Sequence, residues 1–356
     1  MSETIKREVI RHPDGSETVR TSFQVRGTRA VRDDVVEAID RALERLGGEV
    51  LHAMDPTRLL PFSEGGPPVW SIGIVSVPGP PAYSLLVTYG FSHILSPDAE
   101  REGIGHEYSL AVPAGVPLSP WADAFLRYQC RYILTQGADI RVNDCIPLNG
   151  VPMTRIPFQP QHHAQLPDST LVGVLCAADP VLPRIATPHG AIEVRRLIGI
   201  DALELDRVET WSPRGFIEEL GRRDPLLLSP IARRSWMDDV QFLAAVERRA
   251  ADEGSEMDSA MFDVAWSMSE DRVVIELPHG RGAERLREAL CGRIGFGRRL
   301  GALSRTSPMI AFEPQQHGIK VFRDALMIGG DLDSPTLRAL LAAIDAGERH
   351  LIVETR

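Results

Sequence analysis

Lysine is almost missing from this chain. Of 39 Lys+Arg residues in 356, only Lys6 and Lys320 are lysine. A skew of that kind toward arginine is typical of a GC-rich genome and points to a bacterial source. Cysteine is also scarce: Cys130, Cys145, Cys176 and Cys291 form no CxxC pair and no Cys/His spacing. A zinc site and a disulfide framework are therefore not expected, and buried thiols in a reducing compartment are. No apolar run reaches the roughly 18 residues of a membrane span, and MSETIKREVI lacks the apolar stretch of a secretion signal. A cytoplasmic chain without membrane contact is expected. A basic face is missing too. The net charge is −10 with acids scattered along the chain, which argues against nucleic acid and suits a cationic protein partner.

What remains is the make-up of a globular protein, 43% hydrophobic and 25% charged. The length predicts two domains. Residues 1–30 alternate apolar and polar on both sides of Pro13-Asp14-Gly15 and read as a β-hairpin or arm, locally basic. Val35, Val36, Ile39, Ala42, Leu43 and Leu46 form one helical stripe that Gly47-Gly48 ends. WSIGIVSV, YSLLVTYG and HEYSLAVP read as strands. Ser119-Pro120 starts a helix carrying Trp121, Phe125, Tyr128 and Tyr132, stopped at Gly137. Strands recur at Leu171–Cys176 and Ala191–Ile200, and Ser212-Pro213 opens another helix. Residues 236–261 turn charged and small and read as a connector. Beyond it, strands at Arg272–Leu277, Met309–Phe312, Ile319–Phe322 and Ala325–Ile328 alternate with helices in GAERLREAL and SPTLRALLAAI. The expected class is α+β, with domains at 31–235 and 262–356.

Candidate chemistry is thin. His106-Glu107, with Asp144, is the nearest thing to an acid–base set and defines a hydrolase alternative. Neighbours on a strand point to opposite faces, however, so the first two do not readily share a site. His162-His163 has no second ligand pair at metal-binding spacing. Gly329-Gly330 is a turn signal without the strand, loop, helix and lysine of a phosphate cradle. GxSxG and HExxH are absent. No catalytic set, metal site or cofactor is expected.

Several stretches, read together over Val31–Arg234, resemble the suppressor-of-fused family. They are YGFSHIL (Tyr89–Leu95), GHEYSLAVP, the run Trp121 to Tyr132 continuing to Asn143-Asp144 and Pro147-Leu148, and ADPVLPRIATPHGAIEVRRLIGI (Ala178–Ile200). Glu204-Leu205 and Trp211 follow in the family's order, and LCGRIGFGRRL, after VAWSM and VVIEL, resembles the C-terminal domain of longer members. The long insertion of animal members has no counterpart here. The resemblance implies a non-enzymatic regulator. In animals the family sequesters zinc-finger transcription factors of the hedgehog pathway, gripping a short peptide between its two domains by strand addition. In bacteria it implies an immunity protein that neutralises a toxin. A scaffold without a defined cleft is a further alternative. Tyr132 and Asp144 fall on the family's aromatic and acidic peptide-holding positions. The family's peptide-contacting Glu is Ala178 here, followed by Asp179, which is either a third partner-binding residue or only the Asp of an Asp-Pro turn.

Overall fold

The computed structural model describes residues 4–11, 17–24, 33–54, 69, 71–92, 105–136, 139–188, 190–269 and 271–354. The expected turn at 13–15, the helix stop at Gly137 and residues 93–95 lie outside them. The class is α+β, as the alternation of patterns predicts. Two compact units divide the chain: Met1–Ala202 with Leu220–Arg234, and Leu203–Glu219 with Ser235–Arg356.

In the first unit, β1 (Thr4–Arg11) and β2 (Glu17–Gln24) pair antiparallel, Thr4 opposite Gln24. After α1 (Asp33–Gly47) come β3 (Leu51–Met54), β4 (Ser71–Val77), β5 (Tyr83–Tyr89), β6 (His106–Pro113), α2 (Trp121–Gln136), β7 (Cys145–Pro147), β8 (Gly173–Ala178), β9 (Arg184–Thr187) and β10 (Gly190–Ile200). They form a sheet in the order β3-β4-β5-β6-β10-β8-β7, with β9 also on β10. Only β6 and β10 run parallel; the other pairs are antiparallel. Helices cover both faces, which is why β5 and β6 read as nearly continuous apolar runs. Val35, Ile39 and Leu43 of α1 pack with Leu85, Val87 and Val194 on one side. Trp121, Phe125 and Leu126 of α2 pack with Leu86, Tyr108 and Leu197 on the other. Each such side chain contributes about 1.5–3 kcal/mol on burial.

The second unit carries α3 (Ala202–Thr210), most of α4 (Pro213–Arg223), α5 (Val240–Glu253), β11 (Ser259–Met261), β12 (Ala265–Ser269), β13 (Arg272–Glu276), α6 (Arg281–Ile294), β14 (Leu300–Leu303), β15 (Met309–Glu313), β16 (Gly318–Val321), β17 (Ala325–Gly329), α7 (Pro335–Asp345) and β18 (His350–Glu354). Its sheets run β11-β14-β15-β17-β16 and β12-β13-β18. Leu286, Leu290, Leu337 and Leu340 from α6 and α7 share a core with Val273, Ile310, Phe312 and Ile328. The stretch 236–261 holds α5, capped by Asp239, whose Oδ1 accepts the Gln241 and Phe242 amides at 2.8 and 2.9 Å. Its composition reads as a connector because Phe242 and Val246 alone in that helix are buried. Residues 203–219, expected inside the 31–235 domain, group instead with the second unit. Arg281–Asp206, Arg285–Glu209, Arg207–Glu247 and Arg249–Glu218 ion pairs tie them there.

Asp179 and Glu107 are the most deeply buried of the described carboxylates in the first unit. Asp179 is fully buried against Arg196, with Oδ2 at 2.8 Å from Nη2 and 3.1 Å from Nε. Ser109 Oγ donates to the same oxygen, and Oδ1 accepts the Val181 and Leu182 amides at 2.8 and 2.7 Å. Burial alone raises the Asp179 carboxyl, but Arg196, Ser109 and the two amides outweigh it and hold it below its ordinary range. Glu107 accepts the amides of Gly90, Phe91 and Ser92 and the hydroxyls of Thr88 and Ser92. Here burial wins, and the carboxyl is pushed up to about 7 against those donors.

Both groups yield predictions. Asp179→Ala leaves Arg196 buried without its carboxylate and should cost about 3–5 kcal/mol in urea unfolding. Pairing it with Arg196→Met should cost less than the two single changes summed. Because the folded pKa of Asp179 is depressed, its contribution is present above the unfolded value of 3.8 and lost as pH falls through the folded one. Stability curves of wild type and Asp179→Asn should therefore converge in acid. Glu107 has the opposite sign. Its contribution is complete below the unfolded value of 4.5 and is lost as pH rises through about 7. Carbon-13 NMR of labelled glutamates should show one resonance titrating near 7 that Glu107→Gln removes; its absence from wild type would contradict the assignment.

Candidate functional site

Of the residues singled out in the sequence, Tyr132 stands on the last turns of α2, and Asp144 follows on a loop bonded to the strands β8 and β10. Alternate turns of α2 bury Phe125, Cys130 and Ile133, which leaves Tyr128 and Tyr132, four apart, exposed at 38% and 39%. Past the helix, the Ile140 carbonyl accepts from the Tyr108 hydroxyl at 3.0 Å and from Arg195 Nη1 at 2.7 Å. Arg195 also holds Asp139 at 3.1 and 3.2 Å. Asn143, with φ 74°, takes the left-handed turn that asparagine tolerates and donates its amide to the Cys176 carbonyl at 2.7 Å. The Cys176 amide returns to the Asp144 carbonyl at 2.9 Å.

Asp144 then sits at the head of β7, an edge strand of the eight-stranded sheet. Its Oδ2 accepts the Arg141 amide at 2.7 Å, and its own amide donates to the Arg141 carbonyl at 3.0 Å. Among the described residues the second carboxylate oxygen accepts no hydrogen bond. Partial burial raises the carboxyl above its usual range, while the Arg141 amide and guanidinium draw it back. The arrangement places a short-tethered carboxylate on a rigid loop and a tyrosine ring on the preceding helix. Such a pair can accept from a cationic side chain or backbone amide and shelter apolar carbon.

Asp179 takes no part in a surface. Its side chain is fully buried in the Arg196 pair, so the reading of it as a partner contact is corrected to that of a turn-holding residue. Its neighbour Ala178, where the family carries its glutamate, is exposed at the end of β8 opposite Arg195. His106 and Glu107 are both fully buried and go to different partners, as neighbours on a strand should. His106 Nε2 lies 3.0 Å from the Tyr108 hydroxyl, 3.3 Å from Asp139 and 3.4 Å from Arg195. Glu107 closes the turn at Gly90–Ser92. The structure does not assemble an acid and a base from them on a surface. His163 Nε2 contacts the Phe158 carbonyl at 3.1 Å in a 3₁₀ turn. Among the described residues no group of three His, Cys, Asp or Glu could hold a metal ion, and no helix is long and apolar enough to cross a membrane.

Sequence reasoning missed Arg195 and Tyr108, which position the loop, and Val142, exposed beside Asp144. The signal was present in EVRRLIGI. Two adjacent arginines in an apolar strand project to opposite faces, and each needs its own acceptors.

Comparison with known proteins supports the assignment of the domain. Residues 69–234 match the family model described as Suppressor of fused protein (SUFU). The fold is similar to the crystal structure of Drosophila Suppressor of Fused, with TM-score 0.65 at 14% identity over 91% of this chain and 96% of that one. A second solved structure, the Sufu–Fu complex, matches with TM-score 0.48 at 19% identity over 62% of this chain and 98% of that one. Comparison with curated proteins finds no match. The domain at residues 69–234 is thus of the suppressor-of-fused family.

Proposed function

We propose that this protein is a non-enzymatic regulator that grips a peptide segment of a protein partner, with Tyr132 and Asp144 as the holding residues. The observation that carries the reading is a carboxylate at the head of an edge strand with one oxygen that accepts from no described residue, on the loop that follows the exposed Tyr132 ring. A peptide adding as a strand draws affinity from main-chain hydrogen bonds and specificity from side-chain pockets. The scaffold of Ile140, Arg195 and Cys176 fixes the loop before any partner arrives, which lowers the ordering cost of binding. The net charge of −10 favours a cationic partner. We propose a bacterial toxin as that partner, the role of an immunity protein, with the complex formed in the cytoplasm and no cofactor required. The hydrolase reading on His106, Glu107 and Asp144 is not favoured, because the first two reach no surface.

The test begins with crosslinking of the tagged native protein and identification of the partner by mass spectrometry. Calorimetry with the identified segment then follows on variants. Asp144→Asn keeps an oxygen for the Arg141 amide and should leave the melting temperature nearly unchanged. It should weaken binding by about 1–3 kcal/mol, the loss of a charge-assisted hydrogen bond. Tyr132→Ala should weaken binding in the same range while sparing stability, as surface changes do. A variant pair that melts early but binds normally would make Asp144 a structural residue and sink the proposal.

A further inference from the structure

A second polar cluster, in the second unit, is left unexplained by that reading. It lies where α6 ends and the chain turns through Gly295-Phe296-Gly297-Arg298. The turn is fixed by its backbone: the Phe296 and Arg298 amides donate to the Arg293 carbonyl at 3.1 and 2.9 Å, and Gly297, with φ 69°, donates to Ile294 at 3.0 Å. Arg293 is buried, and its Nη1 donates to the Ser255 carbonyl at 2.9 Å while Nε donates to Arg299. Arg298 Nη1 donates to that same Ser255 carbonyl, also at 2.9 Å. Two guanidinium groups thus converge on one neutral oxygen. Neither forms an ion pair with a described residue.

Phe296 completes the arrangement. Its ring is 41% exposed and lies under the Arg298 guanidinium, 5.8 Å from Cζ to centroid. It lies on Gly254, φ 68°, where a Cβ would stand 2.6 Å from the ring. The contact therefore requires glycine at that position and holds the ring in place. Glu256 and Asp258 lie among Arg214, Arg293, Arg298 and Arg299 in this cluster, and Arg214 also feels the Glu218 and Glu253 charges. Glu256 is already engaged by Arg214 and Ser212. Burial and the neighbouring Arg298 and Arg299 charges hold the Arg293 guanidinium below its ordinary value, as expected where positive charge is in excess.

We propose that Arg298 and Phe296 form a binding site for a carboxylate-bearing peptide segment, the guanidinium fork taking the carboxylate and the ring taking an adjacent apolar side chain. The Nε and Nη2 groups of Arg298 donate to no described residue, and the planar fork fits a carboxylate through two parallel bonds. The two acids beside it limit the local excess of positive charge, which suits a monoanion better than a doubly charged phosphate. Arg293 keeps the Ser255 carbonyl satisfied if Arg298 is removed, so the site can be tested without unfolding the turn.

The probe is a fluorescein-labelled peptide, Leu-Glu-Leu-Glu-Leu, measured by anisotropy against its Leu-Gln-Leu-Gln-Leu counterpart. The glutamate peptide should bind at least about tenfold more tightly, the ratio a charge-assisted pair supplies. Arg298→Ala should remove that preference, Arg298→Lys should retain part of it, and Phe296→Ala should weaken both peptides alike, each with wild-type melting. Equal affinity for the two peptides, no binding of the glutamate peptide, or an Arg298→Ala variant that keeps the preference would overturn the site. Displacement by inorganic phosphate at concentrations equal to those of free peptide would overturn the assignment to a peptide carboxylate.

Discussion

Two adjacent arginines in the middle of a buried strand govern the first unit. Arg195 and Arg196 of β10 project to opposite faces of the sheet, so neither can share the other's partners. On one face Arg196 is matched by Asp179, Ser109 and the Leu226 carbonyl. On the other Arg195 is matched by Asp139 and the Ile140 carbonyl. A buried guanidinium without acceptors is costly, so each side of the sheet must deliver a carboxylate to a set place. The Asp-Pro turn after β8 supplies one and the loop after α2 the other. Strand order and loop path are constrained together.

That constraint carries into the functional reading. Asp144 does not touch Arg195, yet its loop begins at the residues Arg195 holds and ends at the ladder with β8. The carboxylate is therefore offered from backbone that is bonded at both ends. Asp179, by contrast, spends both oxygens on the fold. Two acids that look equivalent in sequence, each beside a turn and a strand, differ because one faces an arginine inside the sheet and the other faces the end of it.

Much of the fold was legible in the sequence. The stripe of α1, the strands of the central sheet and the order of elements in the second unit follow from periodicity, and Ser212 does cap α4, accepting the Gly215 amide at 2.8 Å. What was not legible depends on contacts distant in sequence. The short strands β7, β11 and β14 have three or four residues each and show no period. Helix α5 hid behind its charged face. The grouping of 203–219 with the second unit rests on ion pairs across 30 to 76 positions, such as Arg249–Glu219 and Arg285–Glu209. Of the site, Tyr132 and Asp144 were named by resemblance alone; the hydrogen bonds that make their loop rigid have no local signature.

The scarcity of lysine has a structural counterpart. Many arginines here tie carbonyl oxygens: Arg127 reaches Ala53 and Val69, Arg195 reaches Ile140, Arg196 reaches Leu226, and Arg293 reaches Ser255 and Arg299. Each of these uses several donors in fixed directions, joining two segments or joining a segment to a carboxylate. A lysine ammonium has three donors on a flexible stem and a tighter hydration shell, and it cannot hold two acceptors at the angles a planar fork spans. The chain's preference for arginine over lysine thus goes with an architecture in which guanidinium groups close loops. The same habit leaves Arg298 on the surface with donors unspent, where the turn around it holds the fork still.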